Sequence, residues 1–265
     1  MSSSILPPEG ETLATGWEPD LEPADSLVRQ AVLAHASWAI DAPRRAGKPW
    51  YDGDVWAGGF LGDRGPLTNW VVPKQPVDPA EVIADATRQL PNNVPYLFVS
   101  AWPTRDLREH GLALVGHPPL MVRLPTSSAP PQTDLAIRQV TDADGLADAE
   151  RVLVEGYPLP EFQPFEPGSV YAPSFLDGST VWVGYDGDVP LATAAAHHAA
   201  GVTVVENVAV MPAARGRGAG AAVTWAASNH QPDQPATLIA SDEGQPVYQR
   251  LGYLRLERWT VWVRP

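Results

Sequence analysis

The stretch that decides the reading is Val202-Thr203-Val204-Val205-Glu206-Asn207-Val208-Ala209-Val210-Met211-Pro212-Ala213-Ala214-Arg215-Gly216-Arg217-Gly218-Ala219-Gly220-Ala221. Val202 to Val210 is rich in β-branched residues and reads as a strand. Pro212 ends it. Gly216, Gly218 and Gly220 then alternate with Arg217 and Ala219, and a helix is predicted from Ala219 to His230. Glycines let the backbone take positive φ and approach a ligand closely. The first turn of a helix offers unpaired N–H groups and the positive end of its dipole. Together these make an anion site suited to a pyrophosphate, and Arg215 and Arg217 add charge. A dinucleotide fingerprint is a competing reading, because Gly216, Gly218 and Ala221 fit G-x-G-x-x-A; that fingerprint, however, should follow its strand directly, and here Met211 to Arg215 intervene. A flexible turn is the plain alternative. The absence of G-K-[ST] rules out a Walker A loop.

Outward from this loop the pattern is α/β. Asp134 to Val140 alternates like a short strand, and Asp142 to Glu155 has helical spacing with Thr141 as a plausible N-cap. A loop rich in Pro, Gly and aromatics follows to Pro173. Strands are expected at Thr180–Tyr185 and Ala192–His198, joined by the turn Asp186-Gly187-Asp188. After the glycine loop and its helix come a strand at Thr237–Ser241, a short helix at Gln245–Leu251 and one or two strands over Leu254–Val263.

The Pro-rich segment from Leu124 to Pro131 reads as a linker that divides the 265 residues nearly in half. The halves look related. A slide of 141 residues lays Ala80–Arg123 on Ala221–Arg264 without a gap, with nine identities that include Ser100/Ser241, Gly111/Gly252 and Arg123/Arg264. Upstream, Asn69-Trp70-Val71-Val72-Pro73 resembles Asn207-Val208-Ala209-Val210-Met211-Pro212. The order helix, strand, short helix, glycine, strands recurs, so a duplicated fold is expected, with domains at 1–126 and 127–265.

Composition sets limits. Hydrophobic residues at 44% support a real core. The absence of cysteine removes disulfides, thiolate metal sites and a Cys nucleophile. A net charge of −13 argues against nucleic acid and anionic membranes as partners. Residues 133–265 hold 16 acidic and 8 basic residues, a surface that would attract a cationic amine or simply keep the chain soluble. Met1 to Gly10 lack the basic start and apolar core of a secretory signal, and no apolar run is long enough to span a bilayer, so the default location is the cytoplasm. His197 and His198 are neighbours on one strand and point to opposite faces, which disfavours a shared metal, and no metal is expected.

The loop resembles motif A of the GNAT superfamily of acetyl-CoA-dependent acetyltransferases, [RQ]-x-x-G-x-[GA] after a strand ending in V-x-V. Arg215, Gly218 and Gly220 fill its fixed positions, and Val208, Val210 and Pro212 precede them. The run from Ser241-Asp242-Glu243-Gly244 through Val247-Tyr248 to Leu251-Gly252-Tyr253 resembles the family's second block, S-x-E-G-x-x-L-Y-x-x-L-G-F, at the right distance. The resemblance covers about Asp134 to Val263. It implies two GNAT-like domains, each a mostly antiparallel mixed sheet flanked by helices. It further implies that backbone from Val208 through Ala209 to Val210 pairs with pantetheine and polarises the thioester carbonyl. Amides from Gly216 through Arg217, Gly218, Ala219 and Gly220 to Ala221 would hold the pyrophosphate. Ser241 is counted with the cofactor-binding residues, and acetyl-CoA with an amine acceptor are the implied partners.

By the same resemblance Tyr248 is the general acid that protonates the leaving thiolate; packing against the cofactor is its bland alternative. Glu206 shares a face with Val208 and Val210 by period-two counting, and a carboxylate there is a candidate base, or merely a binder of the amine's charge. The loop from Tyr157 to Ser174, with Glu161, Phe162, Phe165 and Tyr171, lies where the family builds its acceptor pocket, though its aromatics could equally be core. In the first half the counterpart of the glycine loop is Lys74-Gln75-Pro76-Val77-Asp78-Pro79, and Leu107 stands where Tyr248 does. That half is therefore expected to be degenerate, packing on the active half and closing its acceptor site. Ser127–Pro265 alone is expected to bind acetyl-CoA with reduced stability. The expected function is acetyl transfer to a primary amine of a small molecule. The alternatives are a non-catalytic acyl-CoA-sensing module and acylation of protein amines; a homodimer stays open beside a monomer.

Overall fold

The computed structural model describes residues 16–17, 21–157 and 159–265, so the leaderless reading of Met1 to Gly10 lies outside the described residues. The first half holds α1 (Leu27–Arg45), β1 (Trp50–Asp52), β2 (Trp56–Phe60), β3 (Asn69–Pro73), α2 (Pro79–Gln89), β4 (Tyr96–Ser100), β5 (Ala113–Gly116) and β6 (Pro119–Arg123). The second holds β7 (Ala136–Gln139), α3 (Ala143–Gly156), β8 (Ser179–Asp186), β9 (Val189–Ala199), β10 (Val202–Val210), α4 (Ala219–Ser228), β11 (Ala236–Ile239), α5 (Gln245–Arg250), β12 (Leu254–Arg258) and β13 (Thr260–Arg264). The elements fall where the periodicity places them, with shifted ends. The N-cap of α3 is Asp142 rather than Thr141, its carboxylate accepting from the Gly145 amide at 2.9 Å.

Two mixed, mostly antiparallel sheets result, in the orders β1-β2-β3-β4-β13-β5 and β12-β6-β11-β10-β9-β8-β7. The only parallel pairs described are β3/β4 and β10/β11. The sheets have the same plan with one exchange: β6 of the first half lies inside the second sheet, and β13 of the second half lies inside the first. Division of the chain at 126/127 therefore does not coincide with division by sheet. Ser127–Pro265 lacks β6, which lies between β11 and β12 of its own sheet.

The internal repeat has physical content. Trp262 pairs with Leu114 and Val261 with Gly116, a bulge skipping Val115. Displaced by 141 residues, Met121 pairs with Arg255 and Leu120 with Glu257, skipping Leu256. Gly111 and Gly252 both take left-handed backbone, at φ 78° and 88°. Each donates its N–H to the carbonyl three residues back, Arg108 and Gln249 respectively. A side chain at either place would be strained, which explains that identity.

Helix α1 lies between the two sheets. Ala31, Val32, Ala36, Ala39 and Ile40 bury against the first sheet with Trp259, while Ala34 meets Val202 and Val204 of β10. Small side chains allow both sheets to approach one helix closely. On the same face of the second sheet α3 packs through Leu146, Ala149, Val152 and Leu153, and α4 covers the opposite face through Ala219, Val223 and Ala227.

The loop after α3 is pinned by Glu150, which is 1% exposed. Its carboxylate accepts from the Gly168, Val170 and Tyr171 amides and from the Ser169 hydroxyl. Glu150→Ala leaves buried amides without acceptors and is expected to cost about 3 kcal/mol of stability, measured by urea unfolding.

Candidate active site

Strands β10 and β11 pair only at Thr203/Ala236 and Val204/Thr237. Beyond Val204 they part, with β10 kinked by a bulge and β11 staying paired with β6 along its other edge. The bulge falls between Glu206 and Ala209, and Asn207 takes φ 55°. The Asn207 side chain stabilises this kink by donating to the Tyr171 hydroxyl at 3.0 Å. The bulge also shifts the strand's phase. Val205, Val208 and Val210 face α4, whereas Ala209 packs on the α3 side. The period-two expectation that Glu206 shares a face with Val208 and Val210 is thus corrected: Glu206 points toward α1, within 3.4 Å of His35.

The opening between the strands is a cavity of about 150 Å³, and Glu206, Val208, Ser241, Tyr157 and Tyr248 line it. It adjoins a cleft of about 400 Å³, with which it shares Tyr157, Glu206, Ile239 and Ser241. One wall of that cleft comes from the first sheet: Trp70 of β3, Leu97 and Val99 of β4, Val115 of β5 and Val261 of β13. Asp242, His117 and Arg258 also line it. Trp70 and Asp242 line the cleft without having been singled out in the sequence, and Tyr157 lines it as the first residue of the loop expected to build the acceptor pocket.

Tyr248 is 9% exposed and packs with Leu238, Val223 and Tyr253. Burial raises its phenol well above the usual range, and Tyr253, Glu206 and Tyr157 push the same way. It therefore stays protonated at neutral pH. Ser241 caps the following turn, its hydroxyl accepting from the Gly244 amide at 3.0 Å. Phe162 and Tyr171 are 1% and 2% exposed, core residues rather than cleft lining, and Phe165 lies under the Arg151 guanidinium.

At the glycine loop, Gly216 and Gly218 have φ 80° and 77°, and Gly218 serves as N-cap of α4. The amides of Gly216, Gly218, Ala219, Gly220 and Ala221 have no acceptor among the described residues, as an anion cradle requires. The arginines contribute less charge than the sequence implies. Arg217 is held by Asp134 at 2.6 Å and Asp186 at 2.8 Å, and Arg215 donates to the Gly156 carbonyl at 3.2 Å. The cradle is backbone. A Cβ on Gly218 would run into the Gln132 carbonyl, besides demanding left-handed backbone. Gly218→Ala is therefore expected to weaken binding of a pyrophosphate ligand such as acetyl-CoA about 5- to 30-fold by calorimetry, since about 1–2 kcal/mol of strain is relieved only by moving the loop.

The first half has no such cradle. Asp78 caps α2, accepting from the Ala80 amide at 2.9 Å, so a carboxylate of the chain sits where the second half has free amides. Lys74 is paired with Asp52 at 2.9 Å, and Leu107 is fully buried. Among the described residues no three His, Asp or Glu side chains converge as metal ligands, and no helix is long and apolar enough to cross a membrane.

Residues 147–253 match the family model for the Acetyltransferase (GNAT) family. No curated protein matches the chain. Among solved structures, a GCN5-related N-acetyltransferase from Kribbella flavida superposes with a TM-score of 0.65 at 21% identity, covering 91% of this chain and 96% of that one. A protein assigned to the GNAT family from Novosphingobium aromaticivorans gives 0.56 at 16% identity, over 88% and 97%. A conserved protein of unknown function from Staphylococcus epidermidis gives 0.56 at 16%, over 80% and 92%. At these identities the likeness concerns the fold, and it extends over both halves.

Proposed function

We propose that this chain, whose residues 147–253 match the GNAT acetyltransferase family model, transfers an acetyl group from acetyl-CoA to a primary amine of a small molecule, in the cleft between its two sheets. The observation that carries the reading is the convergence of Glu206, Val208, Ser241 and Tyr248 on one cavity at the parting of β10 and β11. The free amides of the glycine loop fit a pyrophosphate on the same domain. Acetyl-CoA supplies the activated thioester. Glu206 takes a proton from the acceptor's ammonium, directly or through water, and frees the nitrogen lone pair to attack the thioester carbon. Backbone N–H groups at the bulge from Val208 to Val210 are the donors for the developing oxyanion. Tyr248 gives its phenolic proton to the departing thiolate as the carbon–sulfur bond breaks. The apolar wall from the first sheet, set against Glu206 and Asp242, suits an amine carried on an apolar body.

The test is thiol release with acetyl-CoA and a panel of aryl-alkyl amines, polyamines, aminoglycosides, amino acids and peptides. Turnover with apolar amines, together with thermal stabilisation by acetyl-CoA, is the expected result. Stabilisation without thiol release from any amine would favour an acyl-CoA-sensing module instead.

A further inference from the structure

His35 belongs to α1, in the half that has lost its own glycine loop, yet it reaches the cleft carboxylate of the other half. It is fully buried, and its ring lies 4.9 Å from that of Trp259. Its Nδ1 is 2.7 Å from the Ala31 carbonyl oxygen. A carbonyl can only accept, so Nδ1 carries a hydrogen and the ring's orientation and tautomer are fixed from within the helix. Its Nε2 then stands 3.4 Å from Glu206 Oε1. Neither atom has a hydrogen-bond partner among the described residues, so the two meet as a buried charge contact.

Two bare lone pairs facing each other at this distance in a buried site would repel. The contact is attractive when Nε2 carries a hydrogen and Oε1 stays a carboxylate oxygen, the form in which Glu206 can also accept a proton. A carboxylate on a kinked strand, with one oxygen tied in this way, keeps the rest of its surface toward the cavity it lines.

We propose that His35 is a positioning residue for Glu206: through the buried Nε2–Oε1 contact it holds the carboxylate at the parting of β10 and β11, so that the first half supplies part of the second half's acid–base apparatus. The inference rests on Glu206 acting as base. It gives α1 a role beyond packing, because the helix fixes Nδ1 on one side and presents Nε2 to β10 on the other. Tyr171, Tyr248 and Tyr157 surround Glu206 from other elements, but none donates a hydrogen bond to Oε1.

Two measurements on the full-length chain test this. His35→Leu, close in volume but without a polar atom to face Glu206, is expected to lower kcat about 10-fold. The KM for acetyl-CoA should stay unchanged, and His35→Gln should recover much of the loss. In a Glu206→Gln background the same replacement should have no further effect. The second readout needs no turnover. With 15N-labelled histidine, the His35 ring should show a protonated Nδ1, and Glu206→Gln should move its Nε2 resonance. An unmoved Nε2 resonance overturns the proposal whether or not the chain acetylates anything, and also if His35→Leu fails to fold. Unchanged kcat in a folded His35→Leu protein overturns it as well. Absent thiol release with a moved resonance would leave the contact standing and sink the acetyl-transfer reading instead.

Discussion

Tyr248→Phe is expected to cut thiol release about 100-fold or more while leaving acetyl-CoA affinity nearly intact. Removing the hydroxyl deletes one oxygen and keeps the ring, so the contacts with Leu238, Val223 and Tyr253 persist. The lost function is proton donation. The hydroxyl makes no hydrogen bond with any described residue, so its removal strands no protein donor or acceptor. Burial, with Tyr253, Glu206 and Tyr157 beside it, holds the phenol above its ordinary range. Raising the pKa keeps the proton on the oxygen, so ionisation of Tyr248 should produce no loss of turnover up to about pH 10, the ordinary tyrosine value. Calorimetry with acetyl-CoA and single-turnover thiol release separate binding from chemistry. Turnover within about threefold of wild type would remove Tyr248 from the proposed mechanism and leave it a packing residue.

The second large effect is on folding. Ser127–Pro265 expressed alone is expected to show no cooperative unfolding and to aggregate. It lacks β6, whose Leu120, Met121 and Val122 are 0–2% exposed between β11 and β12. Each such side chain contributes about 1.5–3 kcal/mol, so the three together are worth about 4.5–9 kcal/mol, comparable with the whole stability of a typical domain. At the same time β13 loses both partners, β4 and β5, and exposes Val261 and Trp262. An unpaired apolar strand is an aggregation site. Residues 1–126 should fail for the reciprocal reason, and co-expression of the two pieces should restore a single cooperative melt and acetyl-CoA stabilisation. A separately folded Ser127–Pro265 with a cooperative transition would mean that the exchanged strands are dispensable.

Much of this was legible in the chain. Repeating glycines after a Val-rich strand announce an anion cradle because few other residues take φ near 80°. The 141-residue repeat announces two like sheets, since Gly111 and Gly252 answer to the same backbone need. The bulge was not legible: Asn207 at positive φ is held by Tyr171, a residue brought in by the fold, and that contact turned Glu206 away from Val208. The ties of Arg217 to Asp134 and Asp186 were equally hidden, since one carboxylate is 83 residues away. His35 carries no motif, and its meaning comes entirely from where α1 sits.

Local sequence thus determined the elements, the glycine cradle and the loss of that cradle in the first half, because backbone conformation, capping and side-chain period act over a few residues. Tertiary structure alone decided which sheet each last strand joins, which way Glu206 faces and which half walls the cleft beside it. Those depend on pairing and burial between residues far apart in the chain, where the repeat makes β6 and β13 nearly interchangeable partners and only the packed whole selects the exchange.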